Sequence, residues 1–136
     1  MKTELEREKE FTFAGYRLDL AARQITTRDG TPLKLNSRAF DALAVLIAHR
    51  GETVGKRALL RAVWPDVVVG DNNLNQAIAA IRKALGDSAE PRRIVRTIPG
   101  RGFCFVADVD VTDRRSRHTP LDTASRDVIV TVADYF

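Results

Sequence analysis

Cysteine is almost missing from this 136-residue chain: Cys104 stands alone, so no internal disulfide can close and no thiolate metal cluster can assemble. Long apolar runs are missing too. None approaches the roughly 20 apolar residues needed to span a bilayer, which excludes a membrane segment in this sequence. The N-terminal MKTELEREKE is charged from its second residue, where a secretory signal needs an apolar stretch. The expected compartment is the cytoplasm. Histidine is scarce: His49 and His118 lie far apart, one at a helix end and one in a polar linker, and both read as surface residues. No His, Cys or carboxylate cluster has metal-ligand spacing, so no metal and no cofactor is expected. Ser37 has neither a nearby base nor nucleophile-elbow glycines. Without a convergent nucleophile or acid–base set, an enzyme is not expected.

What the chain does have is an ordinary core composition, 44% hydrophobic against 29% charged, enough for one globular domain with short extensions. Its net charge of +4 is unevenly placed. Between Asn72 and Arg101 lie six basic residues (Arg82, Lys83, Arg92, Arg93, Arg96 and Arg101) against Asp87 and Glu90, so this segment carries the whole excess. A neutral body with a basic sector suits a polyanionic partner, with a solvated charged face as the plain alternative.

Residues 1–10 alternate Glu with Lys or Arg and read as a disordered lead-in. Strand-like pieces follow at 11–13 and 16–20 around Ala14-Gly15, and 23–27 is expected to meet 33–35 across Asp29-Gly30, a strong hairpin signal. The result is a small antiparallel sheet of three or four strands. The period then becomes helical. Asn36 is the expected N-cap of a first helix with Phe40, Leu43, Leu46 and Ile47 on one face, ending after Arg50 at Gly51. A second helix covers 56–63 and stops at Trp64-Pro65. A loop with Val67, Val68 and Val69 leads to a third helix over 72–85, closed by Gly86. A polar connector at 87–91 precedes a second hairpin, 93–98 against 103–107, whose Pro99-Gly100 suits a type II turn. Residues 113–126 read as a linker. The β-prone run 128–132 is either the start of a further unit or a strand for the small sheet or another copy.

The third helix and the hairpin carry the chemistry. Leu74, Ile78, Ile81 and Leu85 form one apolar stripe. Opposite them stand Asn75, Gln76, Ala79, Ala80, Arg82 and Lys83: amides, then small residues, then cations. Asn and Gln can present a donor and an acceptor together to an adenine edge, and small residues allow close approach. An ordinary solvated helix face is the competing reading. The arginines around the tight second turn shift the balance, since a basic two-stranded projection is poorly explained as core-building. Arg101, at the tip, can enter a minor groove, where the potential is most negative.

The strings LKLNSRAFDALAVLIAHRGETVGKRALLRAVWP, NNLNQAIAAIRKALGD and RRIVRTIPGRGFCFV, in this order, resemble the OmpR/PhoB-type winged helix-turn-helix domain, which also occurs N-terminally in ToxR/CadC-like regulators. The likeness spans residues 11–109, leaving 110–136 as a tail. It implies an α+β fold with an N-terminal antiparallel sheet, three helices and a C-terminal β-hairpin wing. The implied function is sequence-specific binding of double-stranded DNA by a bacterial transcription regulator, with the third helix in the major groove. A winged-helix protein-interaction module using the same basic face is the alternative. On the DNA reading, Asn75, Gln76, Ala79 and Ala80 are expected to read bases. Asn72, Asn73, Arg82, Lys83, Arg92, Arg93, Arg96 and Thr97 are expected on the phosphate backbone, and Arg101 in the minor groove.

The resemblance also makes Val67, Val68 and Val69 a candidate contact for RNA polymerase, and self-association on DNA a further expectation. Relatives often carry proline and glutamate in the first turn of the first helix. Ser37 and Ala39 replace them here, so the reciprocal capping box is absent. Asp66 and Asp71 are read as loop solvation and a cap for the third helix, and Cys104 as a packed thiol, with a redox switch as its alternative. The tail suggests one end of a larger regulator.

Overall fold

The computed structural model describes residues 9–87 and 92–113. The chain opens with three antiparallel strands, β1 (Lys9–Phe13), β2 (Tyr16–Asp19) and β3 (Gln24–Thr27). Ala14 and Gly15 both take positive φ, 51° and 88°, in the two-residue turn between Phe13 and Tyr16. That is the turn whose twist matches the flanking strands. Phe11, Phe13, Leu18 and Ile25 all point inward from this sheet.

The expected fourth strand at 33–35 does not form. One bridge, Thr26 to Pro32, holds this stretch beside β3, with the Leu33 N–H on the Ile25 carbonyl and the Thr27 N–H on the Thr31 carbonyl, both at 2.9 Å. Arg23, whose carbonyl the next rung would need, takes φ 53°, outside the extended region, and the ladder goes no further. The fourth strand comes instead from the far end of the domain: β7 (Asp110–Asp113) pairs antiparallel with β1, completing the order β3-β2-β1-β7. The domain therefore reaches beyond the expected 11–109 at both ends. Lys9 and Glu10, expected in the lead-in, belong to β1, where Glu10 is buried, and residues 110–113 belong to the sheet. The rest of the expected lead-in, the linker, His118 and the run 128–132 lie outside the described residues.

Helix α1 (Ser37–Ala48) starts at Asn36, whose side chain accepts the Ala39 N–H at 2.9 Å; one half of a cap thus survives where the reciprocal partner is missing. The helix ends two residues before Arg50, at a His49 cap. A short strand β4 (Thr53–Gly55) leads into α2 (Lys56–Val63), and α3 (Asp71–Ala84) follows the valine loop. β5 (Val95–Ile98) and β6 (Gly102–Phe105) form the hairpin, and β6 lies between β4 and β5.

One core joins these layers. Leu43, Leu46 and Ile47 of α1, Leu59 and Val63 of α2, and Leu74, Ile78 and Ile81 of α3 are fully buried or nearly so. Phe13 meets Phe105 edge-on at 5.0 Å, tying the N-terminal sheet to the wing sheet beneath the helices. No helix among the described residues is long and apolar enough to cross a membrane.

Candidate nucleic-acid interface

The inner face of α3 is as patterned: Leu74, Ile78, Ile81 and Leu85 are buried, with Ala77 among them. This fixes what is left outside. Asn72, Asn73, Asn75, Gln76, Ala79 and Lys83 are exposed. Ala80 is not equivalent to Ala79, because it is half-buried and packs against the core. Asn75, Gln76 and Ala79 are the exposed members of the expected base-reading set. Gly70 is the N-cap of α3 without a side-chain bond, so the expected cap Asp71 instead sits in the first turn, its carboxylate 3.8 Å from Lys56 Nζ.

The C-terminal end of α3 is where the helix and the wing are locked together. Gly86 takes φ +68°. Its N–H reaches the Lys83 carbonyl at 3.4 Å, and the Asp87 N–H reaches the Arg82 carbonyl at 2.8 Å, satisfying end-of-helix acceptors in a Schellman arrangement. The Tyr16 hydroxyl donates to the Leu85 carbonyl at 2.9 Å, so the first sheet anchors the same turn. Asp87 then turns its buried carboxylate onto the start of the wing. It accepts the N–H groups of Arg93 at 2.8 Å, Ile94 at 3.3 Å and Val95 at 2.8 Å.

Arg82 makes the second tie. Its Nε and Nη2 donate to the Val95 carbonyl at 3.2 and 3.0 Å, and Nη2 also donates to Thr97 Oγ1 at 2.8 Å. The guanidinium lies 6.0 Å from the centre of the Phe103 ring. Arg82, expected on the phosphate backbone, directs its fork at β5, where a half-buried charge gains several hydrogen bonds. Arg92, likewise expected on the phosphate backbone, donates from Nη1 to the Asp87 carbonyl. Lys83, Arg93 and Arg96 keep exposed side chains, and Thr97 is exposed with its hydroxyl shared with Arg82.

The wing tip is built as its residues require. The Arg101 N–H bonds the Ile98 carbonyl at 2.9 Å across Pro99-Gly100, and Gly100 takes φ +74°, the geometry of a type II turn. Arg101 is exposed at this tip. Gly102 lies so close to β4 that a Cβ there would stand 2.0 Å from the Val54 carbonyl oxygen. In the valine loop, Val67 and Val68 are exposed, whereas Val69 packs against the core and leaves the candidate patch. Cys104 is buried on β6.

Sequence reasoning missed the roles of Asp87 and Tyr16. The Gly-Asp pair directly after an apolar helix stripe was a signal for the first, but the carboxylate's partners are set by the wing's return path. It also passed over Arg57 and Arg61, which are exposed on α2, one turn apart.

The family described as "Transcriptional regulatory protein, C terminal" matches residues 30–105. Among curated proteins, "Transcriptional activator CadC" of Escherichia coli (strain K12) is 31% identical over 84 residues, 61% of this chain and 16% of that protein. This chain thus spans under a fifth of that relative's length. Among solved structures, the E. coli CadC DNA-binding domain superposes with a TM-score of 0.65 at 26% identity, covering 76% of this chain and 97% of that one. The Klebsiella pneumoniae RstA DNA-binding domain, in complex with RstA box, gives 0.62 at 27% identity, covering 71% of this chain and 96% of that one.

Proposed function

Because this chain belongs to the family of transcriptional regulatory C-terminal domains, with the winged helix fold of OmpR/PhoB type, we propose that residues 9–113 bind double-stranded DNA sequence-specifically for a bacterial transcription regulator. The observation that carries the reading is the pairing of two exposed surfaces. The amide-and-methyl face of α3 is left uncovered, and the arginine-tipped wing is tied beside it by Asp87 and Arg82. The RstA DNA-binding domain, similar in fold over 71% of this chain, is in complex with RstA box. On this reading α3 lies in the major groove, and Asn75, Gln76 and Ala79 face base edges. Asn72, Asn73, Arg93 and Arg96 lie along phosphates, Lys83 at the end of α3 has a phosphate or a guanine edge within reach, and Arg101 reaches toward the minor groove.

The two halves of the surface do different work. Cations that neutralise phosphates release condensed counterions, which supplies sequence-independent affinity and makes binding steeply salt-dependent. Amide contacts discriminate, at about 1–3 kcal/mol for each good bidentate pair. On this reading the domain works in the cytoplasm. Val67 and Val68, exposed beside the start of α3, are an apolar contact for a protein partner such as RNA polymerase.

The test is a salt titration of duplex binding, measured by gel shift for the wild type and Arg101→Ala. Binding that prefers one sequence, and a salt slope about one unit shallower in the variant, are expected. Equal binding to all duplexes, or none at low salt, would overturn the reading.

A further inference from the structure

We propose that the base pairs beneath the middle of α3 are A·T pairs, read by two amides and one methyl group, and that guanine is admitted only at the end of the site beneath Lys83. The proposal rests on the assignment of α3 to the major groove. It goes further by deriving the composition of the site from which side chains the fold leaves available.

At 100° per residue, Asn72, Gln76, Ala79 and Lys83 fall along one line of the helix surface, with Asn75 beside it, and all five are exposed. Each base pair offers a different edge to such a line. Guanine is read by a planar fork of donors or by an ammonium, cytosine by a carboxylate acceptor, adenine by a side-chain amide, and thymine by apolar contact with its 5-methyl group.

The fold removes the first and third of the G·C readers from the middle of α3. Its one arginine, Arg82, holds the Val95 carbonyl with two nitrogens and the Thr97 hydroxyl with one of them; reaching a base would break all of these bonds. Its one carboxylate, Asp71, is at the first residue and faces Lys56. Lys83 remains, but it is the last residue on the line, about 6 Å along the axis from Ala79, and it is a point charge without the planar fork.

What stays in the middle is two amides and the Ala79 methyl. Asn75 and Gln76 match adenine N6 and N7. Ala79, about 4.5 Å further along the axis, has no polar atom beyond its backbone and fits a thymine methyl. The wing agrees with this composition, because A-tracts have the narrow, strongly negative minor groove that attracts an arginine such as Arg101.

The experiment selects duplexes bound by the full chain from a random pool, then replaces each thymine of the selected site by uracil, one at a time. The expected motif has A·T pairs at its centre. One uracil replacement should weaken binding ~4-fold, the effect of withdrawing one buried methyl group. In Ala79→Gly that thymine and its uracil counterpart should bind equally. The comparison is a ratio within one protein, so lost helix stability in the variant cancels. A selected motif with G·C at its centre would overturn the proposal, as would a thymine-to-uracil effect that Ala79→Gly leaves intact. Either result would leave duplex binding itself standing, whereas a pool from which nothing is enriched would remove the parent reading.

Discussion

The Asp87 carboxylate accepts the Val95 backbone N–H at 2.8 Å, across eight residues of chain, and so sets where the wing begins relative to the end of α3. The same group also holds the N–H groups of Arg93 and Ile94. Buried donors that lose an acceptor carry their full desolvation penalty. Asp87→Ala should therefore cost about 3 kcal/mol of folding stability, read as a lower urea midpoint. Asp87→Asn keeps one acceptor oxygen and should fall between. An unchanged midpoint in Asp87→Ala would mean that the wing is positioned by β6 pairing alone.

Arg82 and Lys83 are neighbours in sequence with opposite expected roles. Arg82→Met should lower both stability and DNA affinity, because the α3-to-β5 tie is lost, yet leave the salt dependence of binding nearly unchanged. Lys83→Ala should leave stability nearly unchanged and make the salt slope shallower by about one unit. The two slopes, measured side by side, decide the matter. If Arg82→Met also loses a full unit of slope, its guanidinium serves a phosphate.

Much of this architecture was legible in the chain because local rules and tertiary packing agree there. The stripe Leu74, Ile78, Ile81 and Leu85, the Asn36 cap and the Pro99-Gly100 turn each follow from residue chemistry within a few positions, and the structure has all three. The misreadings came where the partner is distant. Strand β7 is drawn to β1 by pairing across about a hundred residues, which no local pattern records, while the nearer candidate stops at the positive φ of Arg23. Arg82 reads as a surface cation until β5 returns beside it. Ala80 and Val69 have outward-looking neighbours in sequence but meet the core through helix and loop geometry.

Asp29 gives a pH-dependent contribution with a defined sign. The Thr27 hydroxyl, joined by the hydroxyl and backbone N–H of Thr31, holds the Asp29 carboxyl below its ordinary value. A group whose folded value is lowered stabilises the fold above its unfolded value, and that contribution is lost as the pH falls through the folded one. In Thr27→Val the Asp29 resonance, followed by NMR titration, should move back up toward the ordinary carboxylate range. The stability gap between wild type and variant should also narrow in acid. A titration curve unchanged by Thr27→Val would show that the Thr31 bonds alone hold the carboxylate.

Gly102 should tolerate no side chain. A Cβ at this position would lie 2.0 Å from the Val54 carbonyl oxygen and 2.9 Å from the Gly55 Cα, both backbone atoms of the paired strand β4. Gly102→Ala must therefore separate β4 from β6, and a loss of several kcal/mol is expected. Thermal unfolding checks it. A variant with wild-type Tm would show that the wing strand can shift without penalty.

Asn75 and Gln76 are adjacent in α3 and both exposed, but they point about 100° apart around the helix axis and so face different base pairs. Removing either amide should leave non-specific affinity and the salt slope unchanged, because neither carries charge. Each should relax the base preference at its own position, by about 1–3 kcal/mol if the wild-type contact is bidentate. Site selection with Asn75→Ala and with Gln76→Ala should thus return two motifs, each degenerate at a different pair. If both variants return the wild-type motif, the amides are solvated and discrimination comes from DNA shape, read by the arginine-tipped wing.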